Sequence, residues 1–242
     1  MITIQPHTNT QRHRYDPIFK RAQKAFSMAD KLNILSFGCS TGEEVLDLNE
    51  LFTDATITGC DVSHACIEAA KRKIKAPNIK FICLADTELS SISGPFDMVT
   101  AMSVLCKWPE TFGTENIRHI YPFEVFDSIV SALDLLLKPG GTFLLYNANY
   151  FFEDTSAARQ YQASMESEDS ENGFVEKYSP AGIRLTELEI GDRHGCYRPY
   201  QELVGAEPQM KIQHVVRRHK FINPAARTYD LKTSIWIKEQ RM

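Results

Sequence analysis

From Asn33 to Tyr150 the chain alternates short apolar runs with amphipathic helical patterns, and this alternation restricts the fold more than any other feature. The apolar runs fall at Asn33 to Phe37, Thr56 to Asp61, Lys80 to Leu84 and Phe96 to Met102, with a fifth following the turn Pro139-Gly140-Gly141. Helical spacing occupies Glu43 to Phe52, Ala65 to Lys73 and Phe123 to Leu137. An earlier helix is predicted over Tyr15 to Met28, where Asp16 and Pro17 suit an N-cap and first turn. Strands joined through helices pair in parallel, so the segment predicts consecutive βαβ units. The expected class is α/β: a Rossmann-like, doubly wound, mostly parallel seven-stranded sheet. An antiparallel hairpin of Met210 to Phe221 and Leu231 to Glu239 closes it.

Residues 1–242 read as a single domain, since one core accommodates up to roughly 250 to 300 residues. Residues 1–30 form an N-terminal helical extension. The alternation stops after Tyr150, and about 151–209 reads as a cap insertion, where Glu153 to Asn172 carries six acidic residues against the single basic Arg159. With 43% apolar and 24% charged residues, neither disorder nor a fibrous class is indicated. A net charge of -4 gives no global footprint for nucleic acid. No signal-type leader or membrane-length apolar run is visible, so a cytoplasmic protein is expected. The six cysteines contain no C-x-x-C pair and the histidines no ligand spacing, so no metal site is expected.

In open α/β sheets ligands bind outside the carboxyl ends of the strands, and the first strand-to-helix turn approaches them most closely. Here that turn is "SFGCSTGEE". A dinucleotide G-x-G-x-x-G aligned on Gly38 would need glycine at Ser40 and Glu43. Glu43 and Glu44 in the first helical turn would also repel a diphosphate that the helix N-terminus otherwise favours. A cationic ligand without phosphate would meet no such repulsion.

Aligned on G-x-G-x-G, Gly38 and Gly42 match and Ser40 is a small substitute, which resembles the first motif of class I S-adenosylmethionine (SAM) dependent methyltransferases. Together with "ITGCDVS", "FICLADT" and "LKPGGTFLLY" the resemblance spans roughly residues 33 to 150. It implies SAM as cofactor, with Gly38, Cys39, Ser40 and Gly42 in the turn. Asp61 and Val62 would meet the ribose hydroxyls, Ala85 and Asp86 the adenine, and Met102 and Ser103 would line the pocket. One position departs from the pattern: the acid that usually stands two residues before the first glycine is Ser36. "SFGCSTGEE" and "VLCKWPE" are locally similar to the chemotaxis receptor methyltransferases, which esterify protein glutamates and also lack that acid.

The resemblance implies in-line methyl transfer to a small-molecule acceptor. Two alternatives stay open: a protein carboxyl (glutamate) O-methyltransferase, and a non-catalytic methyltransferase-like binding module. Acceptor-facing candidates come from the ends of strands four and five and from the cap. They are His119 and Asp154 as bases, Asn147, Asn149 and Tyr150 as hydrogen-bonding groups, and Trp108 as a stacking group. Tyr161, Tyr178, His194, Tyr197 and Tyr200 of the cap would complete an acceptor pocket, and its acidic stretch would favour a basic acceptor.

Overall fold

The computed structural model describes residues 7–26, 31–164, 175–184, 189–191, 197–199 and 234–240. In chain order the helices are α1 (Asp16–Gln23), α2 (Glu43–Leu51), α3 (His64–Lys73) and α4 (Phe123–Leu136). The strands are β1 (Asn33–Phe37), β2 (Thr56–Asp61), β3 (Ile79–Cys83), β4 (Phe96–Met102), β5 (Leu137–Tyr146), β6 (Tyr161–Ala163), β7 (Glu189–Gly191), β8 (Tyr197–Pro199) and β9 (Ile235–Lys238). Seven of them form one sheet in the order β3-β2-β1-β4-β5-β9-β6, while β7 and β8 pair separately. The pairs from β3 through β5 are parallel, and β9 runs antiparallel to both β5 and β6. The fold class is the Rossmann-like one expected from the alternation.

Helices cover both faces of the sheet, so successive strand residues enter different cores. On β1, Ile34 joins a layer with Val45 and Leu48 of α2 and Phe19 of α1. Leu35 joins the opposite layer with Phe126, Val130 and Leu133 of α4. Those three α4 residues are fully buried at helical spacing, and truncating Phe126 to Ala would cost about 3–5 kcal/mol. α3 begins at Ser63, whose hydroxyl accepts from the Cys66 amide at 3.3 Å and caps the helix. The Pro139-Gly140-Gly141 turn is absorbed into β5 as an irregularity: the register against β4 shifts between Phe96 and Met98, and Gly140 takes φ +79°.

The antiparallel end differs in one respect from expectation. The strand beside β9 is β6, drawn from the start of the expected cap, whereas the run 210–221 lies outside the described residues. β6 is held from behind: the buried Tyr161 hydroxyl donates to Asp134 at 2.7 Å, and Lys238 of β9 closes on the same carboxylate at 2.7 Å. Phe152 stacks on Trp236 with centroids 4.8 Å apart. Three residues are too few to show alternation, so this strand was hidden from pattern reading.

Candidate active site

The carboxyl ends of β1, β2, β4 and β5 meet at one rim and enclose a cavity of about 750 Å³. At its floor the β1–α2 turn must be built from glycine where the chain is crowded. Gly38 has φ +77°, and a Cβ there would come within 2.3 Å of Val104 Cγ2. Ser40 follows with φ +49°, and its amide donates to Asp61 Oδ2 at 2.9 Å. The Ser63 amide donates to Asp61 Oδ1 at 2.8 Å. Each carboxylate oxygen thus has one backbone donor, which fixes the side chain and leaves its remaining lone pairs for ligand hydroxyls.

The second carboxylate at the rim is Glu44, which the sequence reading treated only as a first-turn acid. It is 5% exposed and accepts from the hydroxyls of Ser36 at 2.8 Å and Thr100 at 2.6 Å. Burial pushes its pKa up to about 7, against the two hydroxyls, which favour the charged form. The small Ser36 leaves room for Glu44 to reach back over β1, so a carboxylate stands beside the position where the family motif has its acid. Arg14 borders the same cavity and draws on Glu44 electrostatically. Glu43, by contrast, turns to Lys73 at 2.6 Å.

At the ends of β4 and β5, Ser103 and Asn147 both hold positive φ, +56° and +60°. Left-handed non-glycine residues are uncommon and cluster at functional sites. The Asn147 amide donates to Ser103 Oγ at 3.2 Å, and its carbonyl accepts from the Val175 amide at 3.0 Å. The Tyr15 phenol hydrogen-bonds to Ser103, and burial pushes its pKa to about 12, so it is protonated at neutral pH.

The cavity is roofed by residues 7–15, for which no periodicity gave a signal. Ser40 Oγ donates to the Thr8 carbonyl at 2.8 Å. Farther along, Arg12 grips Asp47 and Glu50 at 2.5 Å each, and the His13 amide donates to Asp47 at 2.7 Å. His7 lies against the exposed Trp108, with ring centroids 6.1 Å apart. His7, Thr8, Asn9 and Thr10 all line the cavity.

Residues 34–141 match the family described as "Methyltransferase domain". The matched segment runs from β1 into β5 and is similar to a methyltransferase domain. Among curated relatives, an uncharacterized Rickettsia prowazekii protein is 28% identical over 56% of this chain and 52% of its own length. The malonyl-[acyl-carrier protein] O-methyltransferase of Bacillus anthracis is 26% identical over 81% of this chain and 69% of its own. The chain therefore spans about half the length of the first of these relatives and about two thirds of the second. Among solved structures, an amino pentose methyltransferase from Micromonospora echinaspora aligns with TM-score 0.42 at 18% identity, over 60% of this chain and 53% of that one.

Of the cofactor residues expected from the sequence resemblance, Gly38, Cys39, Ser40, Asp61, Val62, Met102 and Ser103 line the cavity. Gly42, Ala85 and Asp86 do not. Gly42 packs under α3, where a Cβ would meet Ile74 at 2.6 Å. Asp86 is exposed and turned to His64 at 3.2 Å, while Leu84 and Leu89 supply the cavity wall nearby.

Of the acceptor candidates, Asn147 and Trp108 reach the cavity. His119 is exposed elsewhere. The buried Tyr150 hydroxyl donates to the Tyr121 carbonyl, and Asp154 lies off the lining. Asn149 is consumed by the Lys107 amide and the Glu176 carbonyl. Tyr161 and Tyr178 are buried with their hydroxyls on Asp134 and on the Thr111 carbonyl. His194 and Tyr200 lie outside the described residues, as does the Tyr197 side chain. Among the described residues no helix is long and apolar enough to cross a membrane.

Proposed function

We propose that the chain transfers a methyl group from S-adenosylmethionine to a small-molecule acceptor. The observation that carries this reading is the buried Glu44 carboxylate facing the cavity together with Arg14. An amino-acid end group has one ammonium and one carboxylate, and the pair offers one partner for each. Asp61 would hold the ribose hydroxyls, with Gly38, Cys39 and Ser40 in backbone contact and Val62, Leu84 and Leu89 as apolar wall for the base. Met102 and Ser103 would flank the amino-acid end.

The bound cofactor would supply the electrophilic methyl group. The chain's own contribution is placement. Ser103 and Asn147 hold the β4 and β5 ends in one fixed geometry beside the cavity edge formed by residues 7–10, so two reactants would be held in line. A carboxylate acceptor would need no base. For an amine or hydroxyl, His7 is a cavity residue able to take a proton. A cavity of about 750 Å³ falls within the roughly 300–1,000 Å³ range of small-molecule sites. The named Bacillus anthracis relative acts on a malonyl group carried by a protein, which is consistent with a compact carboxylate acceptor here. We further propose that 1–242 is one catalytic domain. In it residues 7–10, Arg14 and Tyr15 border the cavity, and the Val175 amide donates to Asn147 at its edge.

The test is to incubate the protein with methyl-labelled SAM and a cell extract divided into low-molecular-weight and protein fractions. Label is expected in the low-molecular-weight fraction and lost with Asp61→Ala. Label confined to base-labile protein esters would favour glutamate methylation, and no transfer to either fraction despite SAM binding would favour a binding module.

A further inference from the structure

Behind the cofactor cavity, three elements bring together groups of a different chemistry. His64 is the first residue of α3, Cys83 the last of β3, and Asp86 stands in the turn after β3. One imidazole nitrogen, the thiol sulfur and one carboxylate oxygen all lie within 4.8 Å of one another, and His64 Nε2 is 3.2 Å from Asp86 Oδ1. We propose that His64, Cys83 and Asp86 form a binding site for a thiophilic divalent cation of the zinc type.

The donor set carries the assignment. Nitrogen, sulfur and carboxylate oxygen together suit zinc, whereas calcium and magnesium take oxygen. With metal bonds of about 2.0–2.3 Å, tetrahedral donors stand roughly 3.3–3.7 Å apart. The His64–Asp86 separation already matches, and the sulfur needs only a side-chain rotation to close the triangle. The only hydrogen bond that rotation gives up is a long 3.9 Å contact from the Cys83 thiol to the Val62 carbonyl, among the described residues. Binding replaces the thiol proton by the metal and releases that proton to solvent, with no redox change. Three protein ligands leave a fourth position for water, so the site is an exchangeable one. No ligand spacing marks the site in advance, because its residues are 19 and three positions apart on separate elements.

Among the thiols of the described residues the site is also distinctive. Cys39, Cys60, Cys66 and Cys106 are buried, while Cys83 is half-exposed. It abuts Val62 and Leu84, which line the cavity, so an ion here would stiffen the wall at one end of the cofactor site.

Alkylation of the full chain with iodoacetamide, read by peptide mass spectrometry, tests the proposal without any variant. Zinc alone at low micromolar concentration is expected to slow modification of Cys83 at least tenfold, and a chelator to restore it. His64→Gln and Asp86→Asn, both at exposed positions, should each abolish the protection, and cobalt should give a thiolate charge-transfer absorption that Cys83→Ser removes. Equal Cys83 modification with and without zinc would overturn the proposal. So would protection that survives His64→Gln and Asp86→Asn. Neither outcome depends on whether methyl transfer occurs.

Discussion

The β1–α2 wall buries the Glu44 carboxyl and the loop at 175–178 buries the Lys177 amine, and in both cases burial is the main force that moves the pKa to about 7. Their surroundings differ. Lys177 donates to the Ala148 carbonyl and lies over the Phe151 ring at 5.4 Å, away from the cavity. Glu44 has hydroxyl donors behind it and the cavity in front of it. A shifted pKa alone therefore does not mark a ligand site, and what distinguishes the two is the direction each group faces.

The comparison first predicts opposite pH slopes of stability. Lys177 has a folded pKa below its ordinary 10.5. The unfolded chain holds a proton that the native state lacks between about pH 7 and 10.5, so stability falls as pH drops through that window, by on the order of 4 kcal/mol. Glu44 has a folded pKa above its ordinary 4.5. The native state keeps a proton that the unfolded chain has lost between about pH 4.5 and 7, so stability falls as pH rises through that window, by on the order of 3 kcal/mol. Urea denaturation across pH should show Lys177→Met flattening the alkaline slope and Glu44→Gln the acid one. The same slope from both variants would erase the distinction.

Next in size are the ligand effects. By calorimetry, Glu44→Gln should weaken SAM binding by about 3 kcal/mol, the upper end for a hydrogen bond to a charged group, while Lys177→Met leaves it unchanged. Asp61→Ala should cost about 2 kcal/mol with the fold intact. The smallest effect belongs to Asp86→Asn, under about 0.5 kcal/mol, the scale of surface substitutions away from any special feature. A loss at Asp86 comparable to that at Asp61 would return Asp86 to the cofactor site.

The difference between Asp61 and Glu44 also explains what could be read in advance. Asp61 ends a strand, where the chain direction alone delivers it to the rim, and the glycine turn is dictated by backbone crowding at Gly38. The alternation from β1 to α4 was legible for the same reason, since each element carries its own periodicity. Glu44 was not, because a first-turn glutamate has an ordinary role in helix capping, and only the packing of Ser36 and Thr100 turns it inward. The roof at residues 7–13 is irregular chain held by single contacts such as Thr8 to Ser40, and such contacts leave no pattern. Asn147 was legible as a polar group at a strand end, but its left-handed backbone and its bond to Ser103 were not.

The central claim is that the Glu44 carboxylate meets the cofactor's ammonium, and proton linkage tests it directly. Between about pH 5.5 and 7 an α-amino group, with its pKa of about 7.7–8.0, stays charged, so any change in protonation there belongs to the protein. Calorimetry of SAM binding at pH 6 in two buffers of different ionisation enthalpy should report release of about one proton per ligand, because the bound ammonium draws Glu44 into its charged form. Affinity should climb up to pH 7, and Glu44→Gln should abolish both the release and the climb. Binding without proton release, or release unchanged in Glu44→Gln, would contradict the account.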